Sequence, residues 1–221
     1  MNNWIYKLER RYGRFAIPNL MLYITGTMLV VFLLTYFTGC NIGAVLDLRR
    51  SAVLSGQVWR LISFVFVPSS SGVLGTLLYL YFNYAIGTAL EDAWGSFKFT
   101  LYYLCGALSA ILTMFLLGYG TSYYLNLTMF LAYAYLFPNQ EFLLFFVLPI
   151  KAKYIALVDW LLIIAAFIQG PWSGRLGIVL ALANFFLFFG GGFLRQIRAQ
   201  IGWWKTRRNF RRKNRDDIHY Y

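Results

Sequence analysis

The chain has 221 residues, of which 60% are hydrophobic and 13% charged, and it carries a net charge of +12. A water-soluble domain of this length could not hide so much apolar surface, so the composition excludes one and favours helices embedded in lipid. The basic excess sits at the two ends of the chain, which points to anionic lipid headgroups; no nucleic-acid module accompanies it, so no nucleic-acid partner is expected.

The first fourteen residues are polar and basic, unlike a secretory leader, and the apolar run after them is long enough to span. Residues 18–37 are uncharged, open on a proline suited to a first helical turn, and predict the first transmembrane helix. A long loop over 39–72 follows and holds Arg49, Arg50 and the pair Trp59-Arg60. Within it, residues 61–67 (LISFVFV) are apolar and β-branched but too short to cross, which predicts a segment partly embedded in the interface. Loops this long without regular structure are uncommon and often functional.

Residues 73–90 and 99–117 predict the second and third helices, joined by the short EDAWGSFK connection. The fourth, over 122–137, is short, follows a Gly118-Tyr119-Gly120 turn and ends at Phe137-Pro138-Asn139, where proline cannot continue the backbone bonding. Residues 142–154 are apolar but interrupted by Pro149 and two lysines, and read as a strand or a re-entrant piece. The fifth helix is predicted at 154–169 and the sixth at 176–194. The division is a basic N-terminus (1–17), a six-helix all-α membrane domain (18–194) and a basic tail (195–221).

With these spans, 16 of the 20 Lys and Arg residues fall on the side of the two termini and 4 on the other. That bias predicts cytoplasmic termini and an outward-facing first loop. The lack of sorting signals favours a bacterial plasma membrane over the endoplasmic reticulum. No repeat of 20 to 50 residues supports a transporter built on inverted halves. Cys40 and Cys105 offer neither a metal spacing nor a disulfide framework, and no cofactor or metal is expected.

Arg60, Asn83 and Glu91 stand among membrane-type segments and each needs a partner, because lipid offers none. Four features recur together: Trp59-Arg60 in a long outward loop, Asn83 closing YLYFN, Glu91 followed by Gly95-Ser96, and Phe137-Pro138-Asn139 after a short fourth helix. In order, spacing and topology this set resembles the rhomboid superfamily over about residues 18–194. The resemblance implies a six-helix rhomboid-like bundle. Active rhomboids are intramembrane proteases with a serine in a Gly-x-Ser-Gly setting on the fourth helix and a histidine base on the sixth. A His-x-x-x-Asn pair on the second helix helps to hold the oxyanion. Here Gly120-Thr121-Ser122 is followed by Tyr123, and counting back from Pro138 places the nucleophile position nearer Tyr123 than Ser122. Tyr79 stands in the place of the second-helix histidine, while Asn83 is retained. GRLGIVLALANFF in the sixth helix has no His, Lys, Glu or Asp, and the chain's single histidine is His219 in the tail. A serine hydroxyl needs an adjacent base to attack near neutral pH.

Among relatives, LGIVLALANFFLFF and FVLPIKAKY are similar to the Derlins, inactive members that keep the Trp-Arg loop and handle membrane proteins for quality control. Their ATPase-recruiting tail has no counterpart in this chain. The resemblance therefore implies a pseudoprotease that binds transmembrane segments of membrane-protein clients, in quality control or trafficking. The alternative is an intramembrane serine protease using Ser122 with a non-standard base. A small-solute channel is a third class, disfavoured by the lack of repeats and of paired intramembrane charges.

Several expectations attach to single residues. Arg60 anchors the loop through backbone carbonyls and headgroups, with Trp59 at the interface. Glu91 fastens the second helix, with Ser96 as one donor. Asn83 is either a relic of an oxyanion site or interhelical glue. A lateral groove between the second and fifth helices admits the client, with Asn83 and Asn184 as its polar groups; Asn184 could equally bond a neighbouring helix. Asp159 pairs with a lysine or reaches the headgroups. Gly177-x-x-x-Ala181 permits a close helix contact. Asn126-Leu127-Thr128 matches a glycosylation pattern but lies just inside a helix. The basic tail, with Trp203 and Trp204 beside it, contacts anionic headgroups.

Overall fold

A computed structural model describes residues 3–70, 72–144, 148–170, 172 and 174–190; the basic tail and the last four residues of the predicted sixth helix lie outside the described residues. The fold is helical, with two short strand pairs. After an amphipathic helix α1 (Asn3–Tyr12) come α2 (Leu20–Thr38), three short helices α3 (Ile42–Leu46), α4 (Arg50–Leu54) and α5 (Arg60–Ser63), and then α6 (Val73–Trp94) and α7 (Ser96–Leu117). The remaining helices are α8 (Tyr123–Leu136), α9 (Ala152–Gln169) and α10 (Gly174–Gly190). Among the described residues, α2, α6, α7 and α9 are long and apolar enough to cross a membrane. They are apolar around their whole circumference, as a helix between lipid and a protein core must be. The chain is therefore a multi-span membrane protein.

The short helix α8 is the centre of the bundle. Leu125, Met129, Leu131 and Ala132 on it are buried, as are Thr128 and Tyr133, and it contacts α6, α7 and α9. Helix α9 is peripheral: Leu157, Leu161, Leu162 and Ile168 all face outward, consistent with a lipid-facing surface. An aromatic cluster joins the ends of α6, α7 and α10. The ring of Tyr102 lies 5.5 Å from Trp94 and 5.2 Å from Phe188, and Trp94 lies 5.2 Å from Phe189. Such pairs add about 0.5–1.5 kcal/mol each beyond the area they bury.

Two regions differ from, or decide between, the sequence expectations. Residues 42–66 are not an irregular loop but a run of short helices with one short strand, and residues 60–66 are helical. Phe64 and Val65 within that segment are buried, and their turn packs against α2. Between α8 and α9 the strand alternative holds: β3 (Glu141–Leu144) and β4 (Leu148–Lys151) form an antiparallel hairpin with Glu141 opposite Lys151. Pro149 is tolerated there because a two-strand hairpin has free edges.

Candidate functional site

At the loop end of the bundle, Arg60 organises the 39–72 segment. It is only 7% exposed. Its Nη1 donates to the carbonyls of Ala44 (3.0 Å) and Asp47 (2.7 Å), and its Nε donates to Gln57 Oε1 at 2.7 Å. The guanidinium thus satisfies orphan carbonyls at the end of α3, which that five-residue helix cannot satisfy itself. Ser63 Oγ adds a bond to the Leu46 carbonyl at 3.2 Å. Trp59, by contrast, is 53% exposed and projects from the surface. The strand β1 (Leu48–Arg49) then pairs with β2 (Tyr119–Gly120), and the Arg50 amide bonds the Gly118 carbonyl at 2.9 Å. A Cβ on Gly120 would lie 2.6 Å from both the Ala110 carbonyl oxygen and Leu48 Cδ2, so the pairing requires glycine there.

At the other end, Glu91 does what its position suggests. Its Oε1 accepts from the Asn19 amide at 2.8 Å and from the Ser96 hydroxyl at 2.7 Å. Gly95, at φ +85, supplies the reversal between α6 and α7, in a region that side-chain-bearing residues avoid. Glu91, Gly95 and Ser96 form one device that ties α2, α6 and α7 together. Next to it, Lys98 pairs with Glu9 at 3.2 Å and docks α1 on the start of α7.

Between these ends lies a cleft of about 270 Å³ with α8 as its floor and α6 and α9 as its walls. Phe82, Ile86, Phe130 and Ile155 make it largely apolar, and its polar lining comes from Tyr79, Asn83, Asn126 and Asp159. Asn83 donates to the Tyr79 carbonyl one turn back, at 3.1 Å. Asn126 Nδ2 donates to the Tyr79 hydroxyl, and Ser69 and Asn83 also lie within hydrogen-bonding reach of that hydroxyl. Asn126 Oδ1 is buried and has no partner among the described residues. Asp159 forms no ion pair among the described residues, so the expected pairing with a lysine is not seen. Lys153, its neighbour in sequence, instead reaches Asn139 Oδ1 at 3.5 Å and the Tyr154 ring.

Ser122 immediately precedes α8. It is buried, 3.2 Å from Ser69 Oγ, and donates to the Val67 carbonyl at 3.4 Å. It lines a polar cavity beneath the loop together with Asp47, Arg49 and Tyr119, not the apolar cleft. Tyr123, the next residue, does line the cleft. His219 lies outside the described residues.

The structure does not bring Asn184 to Asn83. Asn184 lies on the opposite side of α8, where its Nδ2 donates to the Tyr102 carbonyl at 3.3 Å. It borders a separate cavity of about 20 Å³ with Gly106, Thr113 and Gly177. The bond to Tyr102 is interhelical, and Asn184 Oδ1 is buried with no partner among the described residues. Gly177 and Ala181 face α7 and α8 there, as the small-residue spacing suggested. Sequence reasoning missed Tyr102, whose hydroxyl donates to the Thr128 carbonyl at 2.9 Å. It also missed the Tyr79–Asn126 contact. The available signal was the polar pair Tyr79/Asn83 at helical i, i+4 spacing, which places both members on one face. Among the described residues no three His, Cys, Asp or Glu side chains gather where a metal could sit. No protein-family model and no curated protein matches the chain.

Proposed function

We propose that the chain is a six-helix rhomboid-like membrane protein, Derlin-like in kind, that binds transmembrane segments of other membrane proteins and does not cleave them. In this reading both termini and the basic tail face the cytoplasm and anionic headgroups, and the Arg60-held loop faces out. The observation that carries the proposal is the apolar cleft between α6 and α9, with a polar wall made by Tyr79, Asn83, Asn126 and Asp159. A cleft of that kind suits the side chains of a second helix lying alongside it, one with polar groups that lipid solvates poorly. Support against proteolysis comes from Ser122, whose hydroxyl is engaged by Val67 and Ser69 and faces a different cavity. Among the described residues no titratable side chain hydrogen-bonds the serine, and such a partner is what activation for nucleophilic attack needs.

The test places the purified protein in liposomes with a generic single-span rhomboid substrate and an active rhomboid as control. A photoreactive residue stands at Phe130 in the cleft or at Leu112 on the exposed face of α7. The expected result is an intact substrate that crosslinks at Phe130 and not at Leu112, unchanged by Ser122→Ala. Cleavage abolished by Ser122→Ala would establish the protease alternative. Equal crosslinking at both positions would rule out the cleft as the client site.

A further inference from the structure

The chemistry of the cleft is more selective than its shape. On the premise that the cleft binds client helices, we propose that it selects transmembrane segments bearing a basic side chain, with Asp159 as the counter-charge. Asp159 is seven residues into α9, about 10 Å along the helix from its first residue, and so stands well away from the helix end. It borders the cleft, yet the described residues offer it no cation. Arg60 is bonded to Ala44, Asp47 and Gln57, Lys98 to Glu9, Lys153 to Asn139, and Arg175 to the Ile168 carbonyl. Arg49 pairs with Asp47 at 3.6 Å in the loop. The second unsatisfied group in the cleft wall, Asn126 Oδ1, is likewise an acceptor. A cleft that sets the Asp159 carboxylate in apolar walls, with no cation paired to it among the described residues, is complementary to a donor cation on an apolar helix. A lysine or arginine in a client span meets the same lack of partners in lipid, so the two charges relieve each other. An acidic client span would place like charges together, and an all-apolar one would leave Asp159 as it was.

The probe is a synthetic single-span Leu/Ala peptide with one lysine at midspan or one turn to either side, and matched peptides with leucine or aspartate at those places. Crosslinking is read from a photoreactive residue at Phe130 in protein reconstituted into liposomes. The lysine peptide in its best register is expected to crosslink at least tenfold more than the leucine peptide. Asp159→Asn, which keeps the side-chain shape, is expected to erase that preference, and Asp159→Lys to transfer it to the aspartate peptide. If the three peptides crosslink equally to the wild type, the charge selection is overturned while the client cleft stands. A lysine preference that survives Asp159→Asn overturns Asp159 as counter-charge. If no peptide crosslinks, the client cleft and the selection fall together.

Discussion

Replacing Arg60 with alanine is the sharpest test of how the loop is held. The substitution removes three bonds from a charged donor, at 3.0 Å to Ala44, 2.7 Å to Asp47 and 2.7 Å to Gln57. A hydrogen bond to a charged group contributes about 1.5–3 kcal/mol net. The freed acceptors belong to residues that are exposed or half-buried and can be rehydrated, so we expect a loss of about 3 kcal/mol, well below the sum of three such bonds. Because every acceptor lies between residues 44 and 57, the loss falls on the loop and leaves the bundle intact. At about 1.4 kcal/mol per factor of ten, the open fraction of the loop rises about a hundredfold. Amide hydrogen exchange reads this directly: protected amides such as Asp47 and Ser63 should exchange about a hundredfold faster, with α6 to α8 unchanged. Arg60→Lys keeps the charge but not the planar fork, and should fall between the two. Loop exchange within about threefold of wild type in the alanine variant would refute the reasoning, since that is a loss under about 1 kcal/mol. Equal acceleration throughout α7 and α8 would show that Arg60 supports the whole bundle.

Three further expectations concern the bundle itself. Glu91→Ala strips the acceptor from the Asn19 amide and the Ser96 hydroxyl and should cost about 2–4 kcal/mol in detergent unfolding; Glu91→Gln keeps an oxygen acceptor and should lose less than half of that, whereas equal losses would mean that charge is what matters. A Cβ on Gly87 would lie 2.0 Å from Met21 Cγ, so Gly87→Ala should overpack the α2–α6 contact by about 1–3 kcal/mol, partly recovered by Met21→Ala in the same chain. Gly177→Ala is its counterpart, since the new Cβ would sit 3.5 Å from Thr113 Cγ2 and 3.6 Å from Tyr124 Cε2. It should stay within about 0.5 kcal/mol of wild type. A null result at Gly87 or a large loss at Gly177 would contradict the observed helix spacings.

The spans were legible because lipid imposes a simple rule on composition, and the long apolar helices begin and end within a few residues of the expected limits. Where α6 runs on to Trp94, past the expected stop at residue 90, the reason is Glu91: a charged residue read as an end is instead buried by its bonds to Asn19 and Ser96. The 39–72 segment was not legible, since its order depends on pairings that leave no periodic trace. Leu48 meets Gly120, and Arg60 reaches back to Ala44. Asn83 and Asn184 were grouped by residue type, but which side of α8 each faces follows from helix packing order, which one sequence does not encode visibly. The lysine expected for Asp159 fails on geometry alone: Lys153 and Asp159 are six residues apart on one helix, about 120° apart around its axis.

The loop and the cleft are not independent structures. Ser122, the residue before α8, touches the Val67 carbonyl and Ser69 at the end of the loop segment. Ser69 in turn lies within reach of the Tyr79 hydroxyl, which Asn126 contacts from the floor of the cleft. A displacement of residues 67–69 therefore breaks contacts at Ser122 and removes one partner from Tyr79, the group that positions Asn126. An occupant that repositions Asn126 or Tyr79 must act back on the same contacts. The coupling runs through hydroxyl and amide bonds of ordinary strength, each worth about 0.5–1.5 kcal/mol, and is bounded by them. By linkage, any factor by which an occupied cleft alters loop opening is the factor by which loop opening alters affinity for the occupant.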